Sequence, residues 1–453
     1  MAESNKEVSG IITNDVDKYV TGLLQFIEKS PEAFHAVSSI KEMLAEAGYE
    51  EIKETEQWNI IPGGKYFVIR NSSSIAAFHI PTLQEDVPAE PGQGLKAVDD
   101  IQGFHIVAAH SDSPTFKVKE KPEIKVEEQY IKLNTEKYGG MIMSTWLDRP
   151  LSVAGRLVVK KEGTLVEMPV NVDKDLLVIP NVAIHMNRDM NKGVEYNAQT
   201  DMLPLYGTVG ENTSFMDTVA TAAGVKTEDI LAHDLFLYVR DKGRTIGADG
   251  EFVLAPRLDD LQCAYAAVTA LTESIPNRYI NVGVVFDNEE VGSGTRQGAD
   301  STFLEDVLMR ITEALGKNTD WFRQRVADSF LISADNAHAV HPNHPEKADP
   351  TNRPYLNGGI VIKYDGSQRY TTDAMTAAVV KELCRKADVP VQTYANRSDI
   401  AGGSTLGNIS TAHVSLPSVD IGLPQLAMHS AVETAGSKDT VYAVSMMKVF
   451  FSE

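Results

Sequence analysis

Cysteine is nearly missing from this chain, with two in 453 residues, Cys263 and Cys384. Both fall in helical patterns and read as core thiols, which excludes a disulfide-stapled fold and fits a reducing compartment, the cytoplasm. Long apolar runs are missing too. No stretch nears the roughly 18 residues that suggest a membrane span, and the opening Met1-Ala-Glu-Ser-Asn-Lys-Glu7 has no apolar signal core. Positive charge is short: 42 Lys and Arg face 63 Asp and Glu, a net charge of −21. Nucleic acid and anionic membranes are therefore not expected partners, since both call for basic patches. A local basic pocket for an acidic ligand stays open. There is no Gly-x-Ser-x-Gly elbow for a serine hydrolase and no Gly-x-x-x-x-Gly-Lys-Ser/Thr phosphate loop. No repeat recurs at solenoid periods.

What is present is an ordinary globular composition, long enough for two domains. A helix is expected from about Asp15, with Val16, Val20, Leu23, Leu24 and Ile27 as its stripe. Ser30-Pro31-Glu32 predicts a second helix with Ser30 as N-cap, ended by Gly48. Strands follow over 65–70 and 74–80, then a Pro- and acid-rich loop over 81–100. Phe104–His110 reads as a buried strand. From about Thr115 to Gly247 strands dominate, with a hairpin turn at Glu162-Gly163 and further strands at Leu176–Pro180 and Leu235–Val239. The helix–strand alternation then resumes to the end. This is the pattern of a β-rich domain inserted into an α/β chain, with boundaries near 116–246 inside 1–115 and 247–453.

One stretch organises the rest: Asn281-Val-Gly-Val-Val-Phe-Asp-Asn-Glu-Glu-Val-Gly-Ser-Gly-Thr295. A run fit for a strand buried on both faces stops at three carboxylates and a Gly-Ser-Gly loop. Ligands of open α/β sheets bind at such strand ends, and carboxylates buried there need a cation or a proton. Alone, the Glu-Glu pair is more often a solvated acidic loop. Other segments end the same way, giving His110, Asp259, Glu290, Asp335 and His429. Two imidazoles and three carboxylates can hold two divalent metals if one carboxylate bridges. Asp112 stands two residues from His110, fit to orient that ring. Glu289 is left beside a ligand, where a hydrolase keeps its general base. Singly, His-Ser-Asp is more often a turn, and Asp259 or Asp335 could simply cap a helix or turn. A rival set, Asp335, His338, His341 and His344, has helical spacing, but Pro342 and Pro345 interrupt any helix.

These motifs together resemble the M18 family of metallo-aminopeptidases, which includes aspartyl aminopeptidase. The matching segments are Ala108-Ala-His-Ser-Asp-Ser-Pro114, Pro256-Arg-Leu-Asp-Asp-Leu261, Asp287-Asn-Glu-Glu-Val-Gly-Ser293, Ile332-Ser-Ala-Asp-Asn-Ala-His-Ala-Val-His-Pro342 and Pro424-Gln-Leu-Ala-Met-His-Ser430. They span most of the chain in the family's order. The resemblance implies a three-layer α/β/α catalytic domain with a mixed central sheet, plus an inserted β-rich dimerisation domain. It implies two metal ions, zinc with manganese or cobalt as alternatives. His110, Glu290, Asp335 and His429 would each bind one, Asp259 would bridge them, and Glu289 would be the base.

Ile179-Pro-Asn-Val-Ala-Ile-His185-Met-Asn-Arg188 is similar to a family segment whose histidine reaches a neighbouring subunit's active site, or in another reading binds metal. On residues alone, a satisfied histidine on a strand is the plainer reading of His185. Val361-Ile-Lys363-Tyr364 and Gln368-Arg-Tyr370 also match; Lys363 would contact an acidic substrate side chain, with Tyr370 nearby. Ser404-Thr405 departs from the family's frequent Thr-Thr pair. The implied activity is removal of N-terminal residues from peptides, preferably Asp or Glu, by a homodimer or a larger assembly, a dodecamer in the family. The alternatives are a preference for neutral residues, a related N-acyl amino acid deacylase, or an assembly protein without catalysis, against which the intact Glu289 argues.

Overall fold

The computed structural model describes residues 2–82, 98–210 and 214–453, with side chains from residue 15 onward. The chain opens with helices α1 (Ala2–Lys29) and α2 (Ala33–Glu46). The stripe Val20, Leu23 and Ile27 is buried as its spacing predicts, although α1 begins well before Asp15. The cap of α2 differs from the expectation. Glu32, not Ser30, takes the extended N-cap backbone, and its carboxylate accepts from the Phe34 and His35 N–H groups at 2.6 and 3.2 Å. The Ser30 hydroxyl is instead buried against that of Ser39 at 3.3 Å. Gly48 follows α2 with φ +81°, as its stop signal requires.

Strands β1 (Glu50–Glu51), β2 (Lys65–Arg70), β3 (Ser74–His79) and β4 (Gly103–His110) complete the first stretch. Of the loop expected over 81–100, residues 83–97 lie outside the described residues. Next come β5 (Thr115–Val126), β6 (Tyr130–Tyr138), β7 (Leu151–Lys161), β8 (Thr164–Asn171), β9 (Leu205–Thr208), helix α3 (Phe215–Ala223) and β10 (Ile230–Val239). These strands form one antiparallel sheet, ordered β8-β7-β10-β5-β6-β9, over a separate apolar core. Glu162 and Gly163 turn the predicted hairpin with φ +50° and +85°, as a two-residue turn matched to strand twist demands. Leu176–Pro180 is not a regular strand. Leu177, Val178 and Ile179 bridge in turn to Leu151, Leu205 and Leu147, so no continuous ladder can build.

The return to α/β runs through β11 (Arg244–Ile246), β12 (Phe252–Ala255), α4 (Leu258–Thr272), β13 (Tyr279–Phe286), α5 (Phe303–Ala314), α6 (Thr319–Ala327), β14 (Phe330–Ala334) and β15 (Ala337–His338). It closes with β16 (Ile360–Tyr364), α7 (Ala374–Lys386), β17 (Val391–Ala395), α8 (Leu406–His413), β18 (Ser418–Gly422), β19 (Pro424–Leu426), β20 (Glu433–Gly436) and α9 (Asp439–Ser452). The helix expected from Thr371 starts at Ala374, behind an Asp373 capping box.

Among the described residues the central sheet runs β1-β2-β3-β13-β4-β14-β18-β16-β17 and mixes parallel and antiparallel pairs. Alternate residues of β4 face two cores: Val107 and Ala109 meet α1, α2, α4 and α9, while Phe104, Ile106 and Ala108 meet α5 and α6. This is a three-layer α/β/α arrangement with a β-rich insert, the architecture expected. A small sheet, β11-β12-β20-β19-β15, flanks the larger one.

Candidate metal centre

β13, β4 and β14 are adjacent and parallel at the middle of the central sheet. Their carboxyl ends therefore deliver Glu289-Glu290, His110 and Asp335 to one place. The other two expected ligands do not come from this sheet. Asp259 opens α4 just after β12, and His429 sits in the loop between β19 and β20, so both hang from the small flanking sheet. All five nonetheless converge. His110, Asp259 and Asp335 bring one ligand atom each within 4.8 Å of one another, and so do Asp259, Glu290 and His429. Asp259 belongs to both triads. Its Oδ1 lies 3.6 Å from His110 Nε2 and its Oδ2 lies 3.4 Å from His429 Nε2, one oxygen toward each ring. Glu289 joins His110 and Glu290 in a third group.

Local backbone explains how the acids are aimed. Asn288 and Gly292 take φ +64° and +93°, bracketing a tight turn at Glu289–Val291. That turn points the Glu289 and Glu290 N–H groups at Asp112, whose Oδ1 and Oδ2 accept them at 3.1 and 3.2 Å. Asp112 also contacts the His110 ring, and its main-chain carbonyl is the closer group: His110 Nδ1 lies 3.0 Å from that oxygen and 3.3 Å from Oδ1. His429 Nδ1 likewise donates to the Gly140 carbonyl at 2.5 Å. With Nδ1 committed in both rings, each Nε2 lone pair is free to face the centre, the tautomer a metal requires.

The donor set fits a cation on physical grounds. Asp259 Oδ1 and Glu290 Oε1 are buried with no hydrogen-bond partner, although buried carboxylate oxygens ordinarily have one. Burial pushes the Glu289 carboxyl up to about 8; His110 opposes this, while Asp335, Asp112 and Asp259 add repulsion. Burial and the Asp259 charge also hold Glu290 well above the carboxylate range. Burial disfavours charge on Asp259 as well, yet contacts to His110 and His429 keep it below its ordinary value. His429 rises to about 9 against its own burial, because Asp259 faces it. The pocket thus holds more negative charge than its imidazoles can balance, which divalent cations would correct.

The remaining predicted residues sit differently. Lys363 is 3% exposed, and its Nζ lies 3.5 Å from Asp335 Oδ1 and 5.6 Å from the Tyr370 ring centroid. Tyr370 is buried beside it. His185 is exposed, in an irregular segment and not on a strand, outside all three ligand groups. His338, His341 and His344 are in none of those groups either.

Four participants escaped the sequence reading. Asp260 is fully buried and accepts the His110 N–H at 3.1 Å. Glu433 accepts the N–H groups of Asp259 and His429 at 3.0 and 2.6 Å. Tyr138 donates to Asp112 Oδ2 at 2.7 Å, and Gly140 supports His429. Only Asp260 carried a signal, its place beside Asp259 in the Arg-Leu-Asp-Asp segment.

The chain is similar to known proteins in sequence and fold. The family model described as "Aminopeptidase I zinc metalloprotease (M18)" matches residues 26–451. The "Probable M18 family aminopeptidase 2" of Clostridium novyi (strain NT) is 48% identical over 441 residues, 96% of this chain and 99% of that protein. The protein of the same name from Stutzerimonas stutzeri (strain A1501) is 37% identical, over 96% and 98% of the two chains. Among solved structures, a chain in the cryo-EM structure of the Ape4 and Nbr1 complex superposes with TM-score 0.89 at 37% identity, covering 96% of this chain and 86% of that one. The crystal structure of yeast aminopeptidase 1 (Ape1) gives TM-score 0.81 at 28% identity, over 96% and 97%. By sequence and fold, the chain belongs to the M18 family of zinc metallo-aminopeptidases, which are hydrolases.

Proposed function

We propose that this enzyme removes the N-terminal residue of peptides with two divalent metal ions, zinc in the first place and manganese or cobalt as alternatives, and that it prefers Asp or Glu. The observation that carries the two-ion reading is the pair of triads sharing Asp259. His110 and Asp335 would hold one ion, Glu290 and His429 the other, and Asp259 both. Bound there, such ions polarise a carbonyl and bring the pKa of water from 15.7 to about 7. Glu289 is the group left to take the proton of the attacking water and pass it to the leaving amine. Asp112 holds the Glu289 main chain and the His110 ring in place for this.

Lys363 and Tyr370 are the proposed contacts for an acidic substrate side chain. One observation favours the alternative of a neutral preference: the Lys363 ammonium is already beside Asp335 and almost wholly buried. The catalytic domain would comprise 1–115 and 247–453, and the insert, 116–246, would pair subunits. Val182, Ile184 and Met186 flank His185 with 53, 47 and 83% exposure, which supports a surface covered by a second copy. A relative of known structure, S. cerevesiae mApe1, is a dodecamer, which supports homo-oligomer formation here. The two free buried cysteines support a cytoplasmic setting.

A panel of aminoacyl chromogenic substrates tests the reading. Chelator should abolish turnover, and zinc, manganese or cobalt should restore it. N-acetylated substrates should be inert, which separates this activity from a deacylase. Lys363→Met should depress kcat/KM for Asp and Glu substrates far more than for Leu or Ala. A uniform loss would mean that Lys363 serves Asp335 alone and that the acidic preference is wrong.

A further inference from the structure

Three consecutive residues of the insert, Tyr138, Gly139 and Gly140, each meet a different part of the metal centre. The Tyr138 hydroxyl donates to Asp112 Oδ2 and accepts from Asn288 Nδ2 at 2.8 Å. Oδ2 is the oxygen that also receives the Glu290 N–H, whereas Oδ1 faces the Glu289 N–H and His110. Gly139 has φ +76° and packs so closely on Glu290 that a Cβ there would lie 3.1 Å from the Glu290 Cβ and 3.4 Å from its carbonyl oxygen. Gly140 supplies the carbonyl that fixes the His429 ring.

Two more bonds tie down the His429 loop. The Ile142 N–H donates to the His429 carbonyl at 3.0 Å, and the Ala431 N–H donates to Thr145 Oγ1 at 2.9 Å. The loop needs such straps, because Ala427 and His429 both hold positive φ, +57° and +65°, which is costly for residues other than glycine.

These contacts favour one side of the centre. They reach Glu290 and His429, the residues peculiar to the second triad, whereas His110, peculiar to the first, meets Asp112 through its main-chain carbonyl at 3.0 Å and Oδ1 at 3.3 Å, not through the Oδ2 that Tyr138 holds. Asp335, peculiar to the first, is held by the central sheet, with its N–H on the Ile421 carbonyl at 3.1 Å and Lys363 beside its carboxylate. We propose that the insert, through Tyr138–Thr145, sets the affinity of the Asp259–Glu290–His429 position for its metal, with Tyr138 as a positioning residue. The His110–Asp259–Asp335 position depends on the catalytic layers instead. The β-rich insert is then part of the metal centre as well as an assembly surface. Any displacement of the insert is felt as a change in occupancy at one of two positions.

This inference rests on the two-metal reading, and the experiment separates the two. Wild type, Tyr138→Phe and Thr145→Val, both substitutions nearly isosteric, are loaded with zinc and titrated against a chromogenic chelator. Zinc per chain is read, together with Tm in the zinc-loaded and zinc-free states. Wild type should hold two ions. Each variant should keep one at wild-type affinity and bind the other about 10- to 100-fold more weakly, the usual effect of losing an outer partner of a ligand. The rise in Tm on adding zinc should shrink, which a merely structural hydrogen bond would leave unchanged. Unchanged affinities, or equal weakening of both ions, would overturn the inference alone. A wild type that holds fewer than two ions would overturn the two-metal reading and the inference with it.

Discussion

Two adjacent carboxylates, Glu289 and Glu290, share one turn yet face different neighbours. Glu290 Oε1 lies 3.4 Å from His429 Nε2 and has no hydrogen-bond donor of its own, the situation of a ligand. Glu289 is absent from the two triads that share Asp259, which leaves it for the proposed role of base, and burial raises its carboxyl to about 8. Glu289→Gln should lower kcat by about 10²–10⁴-fold, the worth of a general base, with zinc content near wild type. Glu290→Gln should lose zinc. Metal analysis of the two purified variants decides, and equal zinc loss in both would undo the division of roles. The convergence of the five proposed ligand residues was legible in the sequence because each follows an apolar run and stops it with a metal-type side chain. Tyr138 and Glu433 were not legible. One ends an ordinary strand, the other opens one, and their roles arise from where the fold brings their partners, Asp112 for the first, Asp259 and His429 for the second.

At the level of elements, hydrophobic periodicity located the helices and buried strands well, since burial on a fixed face is what it encodes. Helix ends were less readable, and α2 is the instructive case. The sequence points to Ser30 as the cap. The Ser30 hydroxyl is buried against Ser39 instead, and Glu32 meets the first free N–H groups. Glu32→Ala should therefore destabilise the fold by about 1 kcal/mol, the typical worth of a side-chain cap. Denaturant unfolding of the metal-loaded protein measures it, with Ser30→Ala expected to cost less. The reverse order would return the cap to Ser30. The irregular path over 176–180 was not readable either, because its bridges go to three partners distant in sequence.

At the scale of the whole molecule, the question is why an insert should stand between two ligand-bearing segments. Pairing of subunits requires a surface, and the exposed Val182, Ile184 and Met186 offer one, but pairing needs no histidine among them. His185 is exposed in its own chain and outside every ligand group there. If it serves chemistry, it does so in a neighbouring subunit, where it would donate a hydrogen bond to the oxyanion as the tetrahedral intermediate forms. His185→Ala and Glu289→Ala should then each be nearly inactive alone. In a hybrid of the two, one site pairs its own Glu289 with the partner's His185 and is whole, while the other lacks both groups. Action within one chain would instead leave every hybrid site short of one group. Co-expressed variants with different tags, purified through both tags in turn, should therefore recover a substantial fraction of wild-type turnover. Verified hybrids that stay inactive would reject action between subunits and leave His185 as a surface residue of the interface.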